Sequence, residues 1–87
     1  MAALMHWMNR VEVANTMEVK QIEELAALYG AEFHKGKPKG KPGEFRYSCY
    51  VDAEPFGGRD YLRDKVVRIL PGAKVFSGEM YMGVKPV

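Results

Sequence analysis

Residues 44–51 read EFRYSCYV, and their alternation decides how the rest of the chain can fold. Side chains alternate across a strand with a period of two, so Phe45, Tyr47, Cys49 and Val51 go to one face and Arg46, Ser48 and Tyr50 to the other. The first set must be the buried one, because an unpaired arginine in an apolar core is too costly. Arg46 and Tyr50 are therefore left on the opposite face of whatever sheet this strand joins.

Immediately upstream, residues 36–43 read GKPKGKPG, with three glycines and two prolines, which can neither continue a helix nor donate regularly to a sheet. A hairpin connection is expected. Residues 34–43 hold Lys35, Lys37, Lys39 and Lys41 and no acid, a local +4 in a chain of net charge +2, so the remainder carries −2. The total is too small to announce a nucleic-acid partner. Its concentration in one loop says more. Residues 31–35 alternate around Phe33 and read as a short strand leading into that loop.

Further upstream, residues 7–14 (WMNRVEVA) set Trp7, Val11 and Val13 against Met8, Arg10 and Glu12, the period of a half-buried strand. Asn15-Thr-Met-Glu18 is a capping signature, an N-cap with a glutamate three residues on. The helix it starts buries Val19, Ile22, Leu25, Ala26 and Tyr29 at 3.6 spacing and stops at Gly30. Downstream, residues 52–58 (DAEPFGG) are turn-rich, with Phe56 tucked beneath. A second helix over 59–70 has Leu62, Val66, Ile69 and Leu70 as its stripe, and Pro71-Gly72 closes it. Asp64 and Arg68 are an i,i+4 pair worth about 0.3 kcal/mol. In residues 73–87, Ser77-Gly78 between two apolar runs signals a hairpin. The final strand should bury Met80, Met82 and Val84 and leave Glu79, Tyr81 and Lys85 outside.

The order β-α-β-β-α-β predicts an α+β, ferredoxin-like domain: a four-stranded antiparallel sheet with both helices on one face and the other face open. Eighty-seven residues with 47% apolar content fill one modest core, so residues 1–87 read as a single domain with an N-terminal arm (1–6) and an exposed basic loop (36–43). No apolar run approaches the roughly 20 residues that span a bilayer, and the N-terminus lacks the features of a signal peptide, so a cytoplasmic protein without a membrane partner is expected. The single cysteine, Cys49, excludes an internal disulfide and a four-cysteine zinc site.

Several short stretches fit one family in order. Val11-Glu12-Val13-Ala14-Asn15 is a β-branched run ending in Asn before the first helix, and Leu28-Tyr29-Gly30 is a matching helix exit. Phe45, Tyr47 and Tyr50 have the aromatic spacing of a third-strand motif, and Leu70-Pro71-Gly72 through Ser77-Gly78 and Met80 matches a short hairpin before strand four. In these respects the chain resembles the RNA-recognition-motif family, which implies the same fold and a single-stranded RNA partner. The family's base-stacking positions do not carry over. In that register Arg46 and Ser48 would face the core, Glu12 stands at the first-strand aromatic position, and Gly43 and Glu44 stand where the third-strand motif opens.

The face left open by the alternation holds Arg10, Arg46, Tyr50 and Tyr81, with Met8, Glu12, His34 and Ser48 nearby and Lys35, Lys37, Lys39 and Lys41 at one edge. Cations beside tyrosine rings suit single-stranded nucleic acid, because the cations screen phosphates while rings accept bases. The same residues also fit a Tyr50–Tyr81 cross-strand pair, or a face covered by a second protomer. The loop fits equally a phosphate-binding or acidic-partner arm and a solvated tip whose charge guards a strand edge. No nucleotide-binding glycine loop is present. Cys49 falls on the buried face with no histidine fixed beside it, His6 and His34 lack a metal-ligand spacing, and Asp60 and Asp64 sit among arginines. The sequence thus points to a non-enzymatic module without metal or cofactor that binds single-stranded nucleic acid, RNA above DNA. The alternative is a small protein-interaction or inhibitor module, cellular or viral, or a homodimer closed through the open face.

Overall fold

The start of the first helix is fixed by reciprocal capping. In a computed structural model describing residues 3–38, 40–41 and 46–84, with side chains described for 7–38, 40–41 and 46–76, Asn15 Oδ1 accepts a hydrogen bond from the Glu18 amide at 2.9 Å. Glu18 Oε1 in turn accepts one from the Ala14 amide at 3.1 Å. One orphan donor of the first turn, and the amide just before the cap, are thereby satisfied. Helix α1 (Thr16–Leu28) follows strand β1 (Ala3–Val13) and leads to β2 (Phe33–Lys35). Then come β3 (Tyr47–Val51), a 3₁₀ turn (Glu54–Phe56), α2 (Arg59–Ile69) and β4 (Lys74–Val84).

The strands form one antiparallel sheet in the order β2-β3-β1-β4. β1 and β2 are thus parallel with β3 between them, and β3 and β4 are parallel with β1 between them, so two βαβ units interleave. Val11 and Val13 of β1 and Cys49 and Val51 of β3 meet Val19, Ile22 and Ala26 of α1 and Leu62 and Val66 of α2 in one buried cluster. Phe56 closes it, and the Tyr29 ring stacks on Phe56 with centroids 4.2 Å apart. The expected α+β architecture, with a four-stranded antiparallel sheet and two helices, is what the chain adopts.

Several expectations are corrected. Ser77-Gly78 is not a turn, since β4 runs straight through it. Asn9 lies opposite Gly78 but Val11 lies opposite Val75, so β4 carries one extra residue there, a bulge of the kind glycine permits. Asn9 Nδ2 donates to the Phe76 carbonyl at 2.8 Å, which occupies an acceptor in the bulged segment. Residues 3–6 belong to β1 rather than to an arm. Trp7, expected in the core, is 64% exposed, whereas Met8 is 0% exposed and lies outside the helix-packed cluster. Trp7 sits beyond the point where β3 leaves β1 at the Asn9–Val51 pair, so the alternation is right but the packed layer has ended.

At the other helix, α2 ends at Ile69, which is 43% exposed, and Leu70, whose backbone has left the helical conformation, turns into the core in its place. Among the described residues Asp64 and Arg68 form no ion pair. Asp60 is instead met by Arg59 at 3.5 Å and Arg63 at 3.6 Å. β2 begins at Phe33 because the Ala31 amide still bonds the Ala26 carbonyl at the helix exit. β3 begins at Tyr47, with Arg46 in an isolated bridge, and Phe45 lies outside the described residues. So do the side chains of Met80, Met82 and Val84.

Candidate nucleic-acid interface

Pairing register brings one residue from each strand into a row on the sheet face away from the helix-packed cluster. His34 of β2 lies opposite Tyr50 of β3, and Tyr50 lies opposite Arg10 of β1. The Arg10 guanidinium carbon stands 4.0 Å from the centroid of the Phe76 ring on β4. All four are partly exposed. The next row toward the lysine loop holds Ser48 and Glu12, with Lys74 beyond.

Two members of the row sit against carboxylates. Arg10 Nη1 meets Glu12 Oε2 at 2.6 Å, and His34 Nε2 meets Glu32 Oε2 at 2.5 Å. Stacked on one side and ion-paired on the other, Arg10 offers a guanidinium plane more than a mobile cation. The face is also more closed than alternation alone implies, since Ser48 is 4% exposed and Met8 is fully buried.

The expected site residues divide accordingly. Arg10 and Tyr50 are neighbours in the row. Arg46 is exposed at the start of β3, on the same side of that strand by alternation as Ser48 and Tyr50. Lys37 and Lys41 are exposed in the β2–β3 connection, and Lys39 lies outside the described residues. Lys35 is exposed but pairs with Cys49, whose side chain is in the core, so it belongs to the helix-side alternation. There it lines a groove of about 700 Å³ with Met17, Val19, Lys20, Pro38 and Tyr47, a feature with no mark in the sequence pattern. Tyr81 occupies a β4 position opposite His6, and its side chain lies outside those described. His6 is four residues along β1 from Arg10, roughly 13 Å away. Because β1 also separates β3 from β4, Tyr50 and Tyr81 are not cross-strand neighbours.

Phe76 is the row member that sequence reasoning missed. The alternation Lys74-Val75-Phe76 carried the signal, but reading Ser77-Gly78 as a turn hid that this run continues into the last strand. Gly36 ties the loop to the sheet. Its amide donates to the Ser48 carbonyl at 2.7 Å, and a Cβ there would stand 2.8 Å from that oxygen, so only glycine fits without backbone movement.

Cys49 is wholly buried, with Sγ 3.7 Å from the Val11 carbonyl oxygen, and burial pushes its thiol up to about 12. It therefore carries no thiolate at neutral pH to act as a nucleophile. Among the described residues no group of three or more His, Cys, Asp or Glu side chains is placed to hold a metal ion, and no helix is long and apolar enough to cross a membrane. Compared with protein-family models, curated proteins and solved structures, the chain matches none.

Proposed function

We propose that this chain is a non-enzymatic, ferredoxin-like module that binds single-stranded nucleic acid, RNA above DNA, across its helix-free sheet face and lysine loop. The observation that carries the reading is the row His34, Tyr50, Arg10 and Phe76, spanning all four strands, with Arg46, Lys37 and Lys41 exposed toward the loop end. The interleaved βαβ units support the ferredoxin-like description and the resemblance to RNA-recognition motifs. In this reading the rings and the guanidinium plane accept bases, at about 1–3 kcal/mol per stacked base, while the loop and Arg46 neutralise phosphates. The row uses residues other than the usual stacking positions of that family.

The test is fluorescence anisotropy of a labelled single-stranded RNA, titrated across a salt series. Replacing Lys37, Lys39 and Lys41 with Gln weakens binding and lowers the salt slope by about 0.7 for each lysine that engages a phosphate. Tyr50→Ala weakens binding by about tenfold, as expected for one lost stack, and leaves the slope unchanged. Absence of RNA and DNA binding at low salt ends the proposal.

One observation favours a second reading. Arg10 and His34 each sit against a carboxylate within the chain, whereas among the described residues Lys37 and Lys41 of the loop form no ion pair. A loop that engages an acidic protein surface would be silenced by the triple lysine substitution and indifferent to Tyr50→Ala.

A further inference from the structure

β1 is paired with β4 from Ala3 to Glu12, but with β3 only from Asn9 to Val13. Among the described residues, positions 3–8 have no strand on that second side. Six residues make an edge of roughly 20 Å, and beyond the end of β3 the sheet narrows to a two-stranded ribbon, which in isolation is marginal in water.

The other edges of this sheet carry the devices that keep edges from pairing. The outer edge of β4 has Lys74, Glu79 and the bulge, and β2 is three residues long and ends in Lys35. Residues 3–8, ALMHWM, contain no Asp, Glu, Lys, Arg, Gly or Pro, and their pairing with β4 is regular. One edge is left unguarded on a chain that guards its others.

We propose that this edge is covered by a second copy of the chain, residues 3–8 of β1 pairing antiparallel with the same residues of the copy. Antiparallel pairing of a strand with itself is the arrangement a two-fold axis generates. It sets no like formal charges opposite one another, because the segment contains no Asp, Glu, Lys or Arg. Opposite residues must share a sheet face, so a two-fold register is centred on a residue, Met5 or His6. The product is a four-stranded sheet β4-β1-β1-β4 across the axis. Trp7, the chain's one tryptophan, then lies opposite position 3 or position 5 of the second copy.

Analytical ultracentrifugation of the full chain without nucleic acid, over a dilution series, tests this. The expected result is a reversible monomer–dimer equilibrium, with Trp7 emission shifting to the blue as the dimer forms. Met5→Lys, which places a guarding charge on the edge, should weaken association at least tenfold. Should that variant fold poorly, oxidation of Met5→Cys and His6→Cys gives a second measure: one of the two should cross-link to a covalent dimer far faster than the other. A monomer at every concentration overturns the proposal. So does a dimer that Met5→Lys leaves intact, or one in which neither cysteine cross-links preferentially. Because no nucleic acid is present, the outcome is separate from that of the binding assay.

Discussion

Cys49 shows how one side chain can matter to stability without taking part in chemistry. Its thiol is sealed between β1 and the helices and pushed up to about 12 by burial, against an ordinary value of 9.0. Between those values the unfolded chain loses a proton that the folded chain keeps, so the folded state is progressively disfavoured as pH rises through that window. The contribution is fully present below pH 9.0 and falls by at most about 1.4 kcal/mol for each pH unit above it. Urea unfolding at pH 8 and pH 10 measures it, and tyrosine ionisation is removed by comparison with Cys49→Ala. The wild type should lose more stability than the variant over that interval. Equal losses would mean that the thiol is open to solvent. A thiol reagent at pH 8 should likewise modify Cys49 only as fast as the chain unfolds.

At the scale of elements, the capping of α1 is the most exposed to test. Asn15→Ala removes the acceptor for the Glu18 amide and should cost about 1 kcal/mol, read as a lower midpoint in thermal or urea unfolding. Asn15→Asp should lose little, because the carboxylate still accepts and favours a helix N-terminus. This element was legible because its signals are local: a cap, a box and a stripe within fifteen residues. β3 was legible for a related reason, since Cys49 and Val51 against Ser48 and Tyr50 admit one burial pattern. What escaped depended on partners far away in sequence. Ser77-Gly78 has the local chemistry of a turn, and only the pairing of β4 with Asn9 and Val11 makes it a bulge. Trp7 alternates correctly, but where β3 ends is not written in β1. Of the proposed interface, Arg10 and Tyr50 could be placed on the open face from alternation, while Phe76 and the Glu12 and Glu32 ion pairs needed the register.

For the whole molecule, the arrangement of the two proposed surfaces has a consequence of its own. β1 runs from the two-stranded ribbon at residues 3–8 to the end where Gly36 bonds Ser48 and the lysine loop begins, so the two features lie at opposite ends of the sheet. The 11-residue strands span roughly 36 Å, comparable with the 41 Å long axis of the chain. Pairing two ribbons end to end would carry the lysine loops to the far ends of the dimer. A short oligonucleotide would then engage one copy at a time, whereas one long enough to reach both would gain from the linkage of two sites, which multiplies affinity without any new contact. The expected result is that RNA longer than the dimer binds at least tenfold tighter than RNA covering one copy, and that Met5→Lys removes this advantage while leaving the affinity for the short RNA unchanged. Anisotropy titrations of both lengths against both proteins decide it. An advantage of the long strand that persists in the Met5→Lys protein would come from sliding or multiple occupancy on one strand, and would separate the nucleic-acid surface from the ribbon altogether.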